Sequence, residues 1–158
     1  MEPNPEESRG WLLRAARESD AGELTELVDA AYGHYVERLG MPPGPMTEDY
    51  AAVIRDRDVT VAESEGAIVG AIVLSTGEEG FTIDNVAIHP TRQGEGIGRA
   101  LLELAEAEAR SAGHDTIHLY THEKMTENQA LYARVGYVEY ERRAGDGFSR
   151  VFMHKRLA

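Results

Sequence analysis

The chain has 158 residues, of which 42% are hydrophobic, and this length suits one compact domain. The formal net charge of −12 argues against a nucleic-acid partner, because phosphate backbones are bound by clustered Lys and Arg side chains. The sequence contains no cysteine, which excludes disulfides, cysteine ligands of zinc and a thiol nucleophile.

No apolar run approaches the roughly 20 residues that are needed to span a membrane. The first residues lack the basic region and the apolar core of a signal peptide, so we expect a cytoplasmic protein without a membrane partner. The excess of acidic residues predicts a solvated surface and weakly favours cationic partners. A homodimer is compatible with this composition.

The predicted elements begin after a Pro- and Glu-rich segment at residues 1–8, which we expect to be a disordered tail. The predicted strands are residues 11–15, 59–63, 67–75, 80–89, 116–121, 138–142 and 148–155. The predicted helices are residues 20–39, 47–55, 97–112 and 126–136. This order indicates a mixed α/β sheet in a single domain at residues 9–158.

Three helix starts are predicted from short-range capping patterns. Asp20 with Glu23, and Thr126 with Gln129, have the spacing of a capping box, in which each side chain bonds to the other residue's amide. Thr47 is predicted to cap the short helix after a loop whose prolines fix φ and remove backbone donors.

Residues 85–102 are the most informative stretch, because an apolar strand there joins an amphipathic helix through a glycine-rich turn. Gly94, Gly96 and Gly98 let the backbone approach a ligand, and the first amides and positive dipole end of the helix favour an anion. A P-loop needs Lys and then Ser or Thr after its last glycine, and the dinucleotide fingerprint needs a third glycine three residues after its second. The sequence satisfies neither pattern, so we predict a pyrophosphate site of another kind.

The segment Gln93-Gly-Glu-Gly-Ile-Gly98 resembles the acetyl-CoA signature of the GNAT N-acetyltransferases, Gln/Arg-x-x-Gly-x-Gly/Ala. The resemblance implies a single-domain GNAT-like α/β fold, with a mixed, mostly antiparallel sheet of about seven strands flanked by about four helices. In that fold the fourth and fifth strands part to make a slot for the pantetheine arm. It also implies that acetyl-CoA is the co-substrate and that no metal takes part.

The resemblance assigns pantetheine to the backbone of the strand before the loop, and pyrophosphate to the loop amides. The residues implied for the cofactor are Val86, Ala87, Ile88, Gln93, Gly94, Glu95, Gly96, Ile97, Gly98, Arg99 and Asn128. Many family members carry asparagine seven residues before the helix tyrosine, where this chain has Met125 instead. Asn128 lies on the same helix face as Tyr132 and is therefore either a cofactor ligand or an exposed first-turn residue.

Tyr132 corresponds to the tyrosine that lies near the CoA sulfur in the family, and the resemblance implies that it protonates the departing thiolate. A phenol suits this role, because its reference pKa of about 10 exceeds the value of about 8.5 for a thiol. An ordinary half-buried helix tyrosine is the alternative interpretation.

The base that deprotonates the acceptor is left open by the sequence. Some family members place a glutamate on the fourth strand, where this chain has Thr82, which cannot act as a base. Asp84 lies on the same strand face and is the favoured candidate, while His122 and Glu123 follow the fifth strand. A water chain to bulk solvent, without a dedicated base, is an equal alternative.

Three histidines, His114, His118 and His122, recur every four residues and invite a metal hypothesis. The residues between them favour a strand, in which positions four apart are separated by about 13 Å, too far to share one metal ion. We therefore interpret them as ordinary surface histidines.

The acceptor site is expected, by analogy with the family, to involve the first helix and the proline-rich loop. Its candidate residues are Tyr32, His34, Tyr35 and Tyr50, with Glu123. The sequence predicts an N-acetyltransferase that moves an acetyl group from acetyl-CoA to a primary amine of a small molecule or peptide, by direct attack in a ternary complex. The alternatives are a non-catalytic sensor of acyl-CoA and a nucleotide-binding regulatory domain.

Overall fold

The computed structural model describes residues 10–78, 80–145 and 148–157, and the tail predicted at residues 1–8 lies outside them. Within these ranges the strands are β1 (Leu12–Ala15), β2 (Asp58–Ser64), β3 (Ala67–Gly77), β4 (Gly80–Ile88), β5 (Thr116–His122), β6 (Val138–Gly145) and β7 (Phe148–Arg156). The α-helices are α1 (Ala21–Tyr32), α2 (Tyr35–Leu39), α3 (Tyr50–Asp56), α4 (Ile97–Ser111) and α5 (Thr126–Arg134).

The strands form one sheet of seven in the order β1-β2-β3-β4-β5-β7-β6. The pairs β1–β2, β2–β3, β5–β7 and β6–β7 are antiparallel. Strands β4 and β5 are parallel, and their ladder joins Phe81–Ile83 to Ile117–Leu119. The prediction of a mixed, mostly antiparallel sheet of about seven strands is therefore confirmed. The slot predicted between the fourth and fifth strands stays a prediction.

The prediction of one helix over residues 20–39 is wrong, because the chain breaks it into α1 and α2 at Gly33 and His34. Gly33 is the C-cap of α1, and a Cβ added to it would lie 2.7 Å from the carbonyl oxygen of Asp29. Only glycine fits this position without strain. The described part of the chain consequently has five α-helices where about four were predicted.

Other partners replace the capping box predicted at Asp20 and Glu23. The Asp20 carboxylate accepts hydrogen bonds from the Arg14 guanidinium at 2.8 and 3.1 Å and from the Arg17 amide at 2.7 Å. The hydrogen bond from Arg14 lowers the pKa of Asp20 to about 2. The Glu23 carboxylate accepts the amide hydrogen of Ile68 at 2.6 Å, so it ties α1 to β3.

The other two predicted caps are also wrong. Asp49, rather than Thr47, caps α3, because its carboxylate accepts the Ala51 amide hydrogen at 3.1 Å. At the start of α5 no side-chain cap bond forms. The Gln129 amide instead donates to the carbonyl oxygens of His122 and Glu123, at 3.2 and 2.9 Å, which ties α5 to the end of β5.

The residues group into two compact units, and each has its own apolar core. The first contains the chain up to Leu74 together with Asn85–Glu103, and the second contains Ser75–Asp84 together with the chain from Leu104 onward. Fully buried residues of the first unit include Leu24, Val28, Val61, Ile72, Leu74 and Ile97. Those of the second include Ile117, Leu119 and Val151. The single domain expected at residues 9–158 stays a prediction.

Among the described helices, none combines the length and the apolar character that crossing a bilayer would require.

Candidate active site

The glycine-rich turn after β4 has a backbone that side chains would strain. Gly94 and Gly96 have φ values of 84° and 85°, in the left-handed region that favours glycine. A Cβ added at either glycine would have no heavy atom within 4 Å. These glycines are therefore required by backbone conformation, and the space beside them is open to a ligand.

The start of α4 is anchored by Ile97, which is 1% exposed and packs over Gly70 of β3. A Cβ on Gly70 would lie 2.7 Å from Cγ2 of Ile97, so this strand glycine makes room for the anchor. The first hydrogen bond of the helix joins the Ala100 amide to the Gly96 carbonyl at 3.0 Å. The amides of Ile97, Gly98 and Arg99 therefore precede the hydrogen-bonded ladder of the helix and are available to an anion.

The charged side chains of this turn form ion pairs with neighbouring side chains of opposite charge. The Arg92 guanidinium binds the Glu95 carboxylate through two bonds, Nε to Oε2 at 2.7 Å and the terminal nitrogen to Oε1 at 2.9 Å. Arg99 contacts Glu103 at 3.3 Å in the first turns of α4. The attraction for an anion therefore depends chiefly on backbone amides and the helix dipole.

A hydrogen-bond network around Asn85 joins β4 to the helices of the first unit. The Tyr32 hydroxyl lies 2.8 Å from Oδ1 of Asn85 and 2.7 Å from the carbonyl oxygen of Val86, so either oxygen is within reach of its single hydrogen. The Asn85 amide donates to the Tyr50 hydroxyl at 3.1 Å, and this hydroxyl donates to the Pro45 carbonyl at 2.6 Å. Burial raises the pKa of Tyr50, so its hydroxyl stays protonated.

Sequence reasoning missed Asn85, although an amide side chain directly before the apolar run Val86–Ile88 was a usable signal. The rings of Tyr32 and Tyr50 are 5% and 3% exposed, so both serve the packing of the first unit. Tyr35 is 3% exposed and contacts the exposed ring of His34, with ring centroids 3.9 Å apart. The acceptor role expected for these residues stays a prediction.

Tyr132 lies in α5 and is 5% exposed, with its ring packed edge-on against Tyr137 at a centroid distance of 5.9 Å. The Tyr137 hydroxyl is buried and has no hydrogen-bond partner among the residues that the structure describes. Burial, together with the charge of Glu106, raises the pKa of Tyr137. Glu106 is itself buried and forms an ion pair with Lys155 at 2.7 Å.

The residues before Tyr132 differ in their environments. Met125, at the position where the resemblance implied an asparagine, is 4% exposed, and its sulfur lies 3.8 Å from the Thr121 hydroxyl. Asn128 is half-buried in the first turn of α5. Met125 therefore has a packing role, and the assignment of Asn128 to the cofactor stays a prediction.

The candidate bases already have hydrogen-bond partners. Asp84 accepts the Ser75 hydroxyl hydrogen at 2.9 Å. Burial lowers the pKa of His122, so its ring is neutral at pH 7, but its Nδ1 atom accepts the Lys124 amide hydrogen at 3.0 Å. The amide of Glu123 donates to the Ser149 carbonyl at 2.9 Å, which fixes its backbone. The Nδ1 atom of His122 would have to release its bond before it took a proton, whereas the Asp84 carboxylate has a second oxygen.

His118 lies in the strand β5, as predicted, and the strand also includes His122, which was predicted to follow it. In the described part of the chain, no three His, Cys, Asp or Glu side chains are grouped to hold a metal ion.

The sequence model of the acetyltransferase (GNAT) domain matches residues 55–139, which is just over half of the chain. The chain belongs to the GNAT acetyltransferases. The matched residues include both the glycine-rich turn and Tyr132, so the two segments that carried the resemblance lie inside the family match.

Curated relatives of this GNAT chain share only part of their length with it. A mycothiol acetyltransferase from Jonesia denitrificans is 34% identical over 86 residues, which are 53% of this chain and 27% of the relative. An IAA acetyltransferase from Azospirillum brasilense is 35% identical over 81 residues, which are 50% of this chain and 53% of the relative. The matches thus span about a quarter and about half of these two proteins.

The GNAT fold is also found in a solved structure of the paia N-acetyltransferase from Thermoplasma acidophilum in complex with coenzyme A. It superposes with a TM-score of 0.77 at 17% identity, covering 92% of this chain and 98% of that protein. At this identity the likeness demonstrates the fold alone.

Proposed function

We propose that the chain is an N-acetyltransferase that transfers the acetyl group of acetyl-CoA to a primary amine of a small molecule or peptide, by direct attack in a ternary complex. The observation that carries the proposal is the glycine-rich turn with two left-handed glycines at the start of an anchored helix. Membership of the GNAT family supports acetyl transfer as the reaction. The names of the two curated relatives indicate different acceptors, so we assign no single amine.

The turn fits an anionic cofactor, because a Cβ at Gly94 or Gly96 would enter open space and the amides of residues 97–99 precede the helical ladder. In this proposal the backbone of residues 93–99 binds the pyrophosphate, and the backbone of Val86, Ala87 and Ile88 binds the pantetheine arm like an added strand. When bound, acetyl-CoA supplies the acetyl group as a reactive thioester.

The Tyr132 hydroxyl holds the proton that a departing thiolate requires. A tyrosine hydroxyl stays protonated at neutral pH, since its reference pKa is about 10, so it can donate a proton to the departing thiolate. Tyr132 is buried, with 5% of its surface exposed. A backbone amide of β4 is the proposed donor to the thioester oxygen, a role that is typically worth about 3 kcal/mol.

The amine must lose a proton before or during attack. Asp84 is the proposed base, and the Ser75 hydroxyl donates to one of its two carboxylate oxygens, Oδ1. Transfer of the proton to bulk water remains the alternative. An Asp84→Asn variant that retains full turnover at every pH would favour the water route.

The experiment begins with a screen of amine and peptide acceptors, using release of CoA as the readout. With an acceptor in hand, Tyr132→Phe should lower turnover by about 100-fold, while the affinity for acetyl-CoA changes by less than about twofold. The reason is that the proton is needed only as the carbon–sulfur bond breaks, whereas packing of the ring persists in both states.

Tyr137→Phe is the matched control, because it removes a buried hydroxyl that has no partner among the described residues. This control should keep its turnover and its stability, since no hydrogen bond is lost. Equal turnover of Tyr132→Phe and wild type would eliminate Tyr132 as the acid.

A non-catalytic sensor of acyl-CoA is the second candidate. It predicts binding of acetyl-CoA without turnover across broad amine and peptide panels. Calorimetry with acetyl-CoA, CoA, ATP and NAD tests the cofactor class directly, and tighter binding of NAD or ATP than of acetyl-CoA would overturn both candidates.

A further inference from the structure

An acidic side chain stands inside the turn that we assign to a polyanion. Glu95 lies between Gly94 and Gly96, the two residues with left-handed backbones, and its charge opposes binding of a pyrophosphate. The Arg92 side chain reaches across the turn and binds both carboxylate oxygens, at 2.7 and 2.9 Å. The bidentate bond from Arg92 lowers the pKa of Glu95, so the acid stays ionised.

Both members of this pair are well placed to affect an incoming anion. Their side chains are 25% and 36% exposed, so the pair lies at the surface of the turn and in contact with solvent. Glu65, in the turn between β2 and β3, adds a weaker attraction for Arg92. The nearest other cation of the loop, Arg99, already faces Glu103 at 3.3 Å. Arg92 therefore supplies the positive charge that offsets Glu95.

We propose that Arg92 and Glu95 form a charge-compensating pair that sets the affinity of the glycine-rich turn for the diphosphate of CoA. This inference rests on the proposed function, because it assumes that the turn holds that cofactor. Neutralising Arg92 leaves the Glu95 charge uncompensated beside the diphosphate. Neutralising Glu95 leaves Arg92 free to bind it.

The test measures the dissociation constant of CoA by calorimetry for wild type, Arg92→Gln, Glu95→Gln and the double variant. At low salt, Arg92→Gln should weaken binding by about fivefold and Glu95→Gln should tighten it by about fivefold, as expected for one unit charge near a phosphate in water. The double variant should return to within about twofold of wild type, because the two charges are removed together. At about 0.5 M salt the differences should largely disappear.

Glu139→Gln is the matched control, since Glu139 pairs with Arg142 at the same sequence spacing, on strand β6, and its loss changes the net charge equally. This control should bind CoA as wild type does. Dephospho-CoA, which keeps the diphosphate but lacks the 3′-phosphate, should show the same pattern, and loss of the pattern with this ligand would overturn the assignment to the diphosphate.

Weaker binding of CoA by Glu95→Gln would also overturn the inference, because it would mean that the ion pair stabilises the conformation of the turn rather than balancing its charge. Equal affinities of all the variants at low salt would do the same. A wild-type protein that binds no CoA at all would instead refute the proposed function, so the two failures are distinguishable.

Discussion

Replacement of Gly96 by alanine separates backbone strain from ligand binding in the glycine-rich turn. The residue has a φ of 85°, and its added Cβ would meet no heavy atom within 4 Å. The variant is therefore strained without a clash, and forcing an alanine into the left-handed region costs about 1–2 kcal/mol of unfolding free energy. Because the new methyl group occupies the open side of the turn, CoA binding should weaken by at least about tenfold, or about 1.4 kcal/mol.

Gly113→Ala is the control that makes this result interpretable. Gly113 follows α4, has a φ of 88°, and also has open space around its missing Cβ. Its substitution should lower the unfolding free energy by the same amount as Gly96→Ala, within about 0.5 kcal/mol, because the strain is the same. It should leave CoA affinity unchanged, since Gly113 lies at the opposite end of α4 from the turn.

The assay measures urea unfolding and calorimetric binding of CoA on the same preparations. The binding titration is done without urea, where both variants are fully folded. A Gly96→Ala protein that binds CoA as tightly as Gly113→Ala would refute the assignment of the cofactor to this turn. Unequal losses of stability would refute the reasoning about φ, whatever the binding result.

Two further predictions concern stability. Gly70→Ala places a methyl group 2.7 Å from Cγ2 of the buried Ile97, and this overpacking should lower the unfolding free energy, measured with urea, by about 1–3 kcal/mol. The control is Gly77→Ala in the same strand, whose methyl group has no heavy atom within 4 Å and should leave the unfolding free energy nearly unchanged. Asp20, whose pKa is lowered from 3.8 to about 2 by Arg14, stabilises the fold above its unfolded pKa and loses this effect as the pH falls through the folded value. Wild-type stability should therefore decline between about pH 4 and pH 2, and an equal decline in Asp20→Asn would contradict this assignment.

The strands and the helix α4 could be predicted from the sequence because their signals are local. The apolar positions of α4 recur with helical period, and left-handed Gly113 follows its end, so both the length and the stop of the helix are encoded nearby. The break between α1 and α2 was missed for a different reason. Gly33 is tolerated inside many helices, and as the C-cap of α1 it still has helical angles, with φ at −54° and ψ at −35°, so no local pattern marks the break.

The prediction of helix caps was wrong where another partner competed for the capping side chain. Glu23 has the spacing of a capping box, yet its carboxylate binds the amide of Ile68 on a neighbouring strand. Asp20 likewise binds Arg14 of β1. A capping pattern is a contact between residues three apart, and tertiary contacts of equal or greater strength displace it. A pattern of residues three apart therefore cannot predict whether the side chain caps the helix or binds a residue of another element.

The same distinction explains why the class of cofactor is easier to predict than the acceptor. The turn that we propose as the anion site is encoded within one short segment, because the glycines that permit its backbone and the helix that supplies its amides are contiguous. The residues expected at the acceptor site come from separate segments, and Asn85 joins Tyr32 and Tyr50 only after the chain has folded. The hydroxyls of these tyrosines hold Asn85 and Val86 against the helices of the first unit, so residue type alone does not identify the groups that would contact an amine. The acceptor must therefore be found by measurement, while the cofactor can be tested directly at the turn.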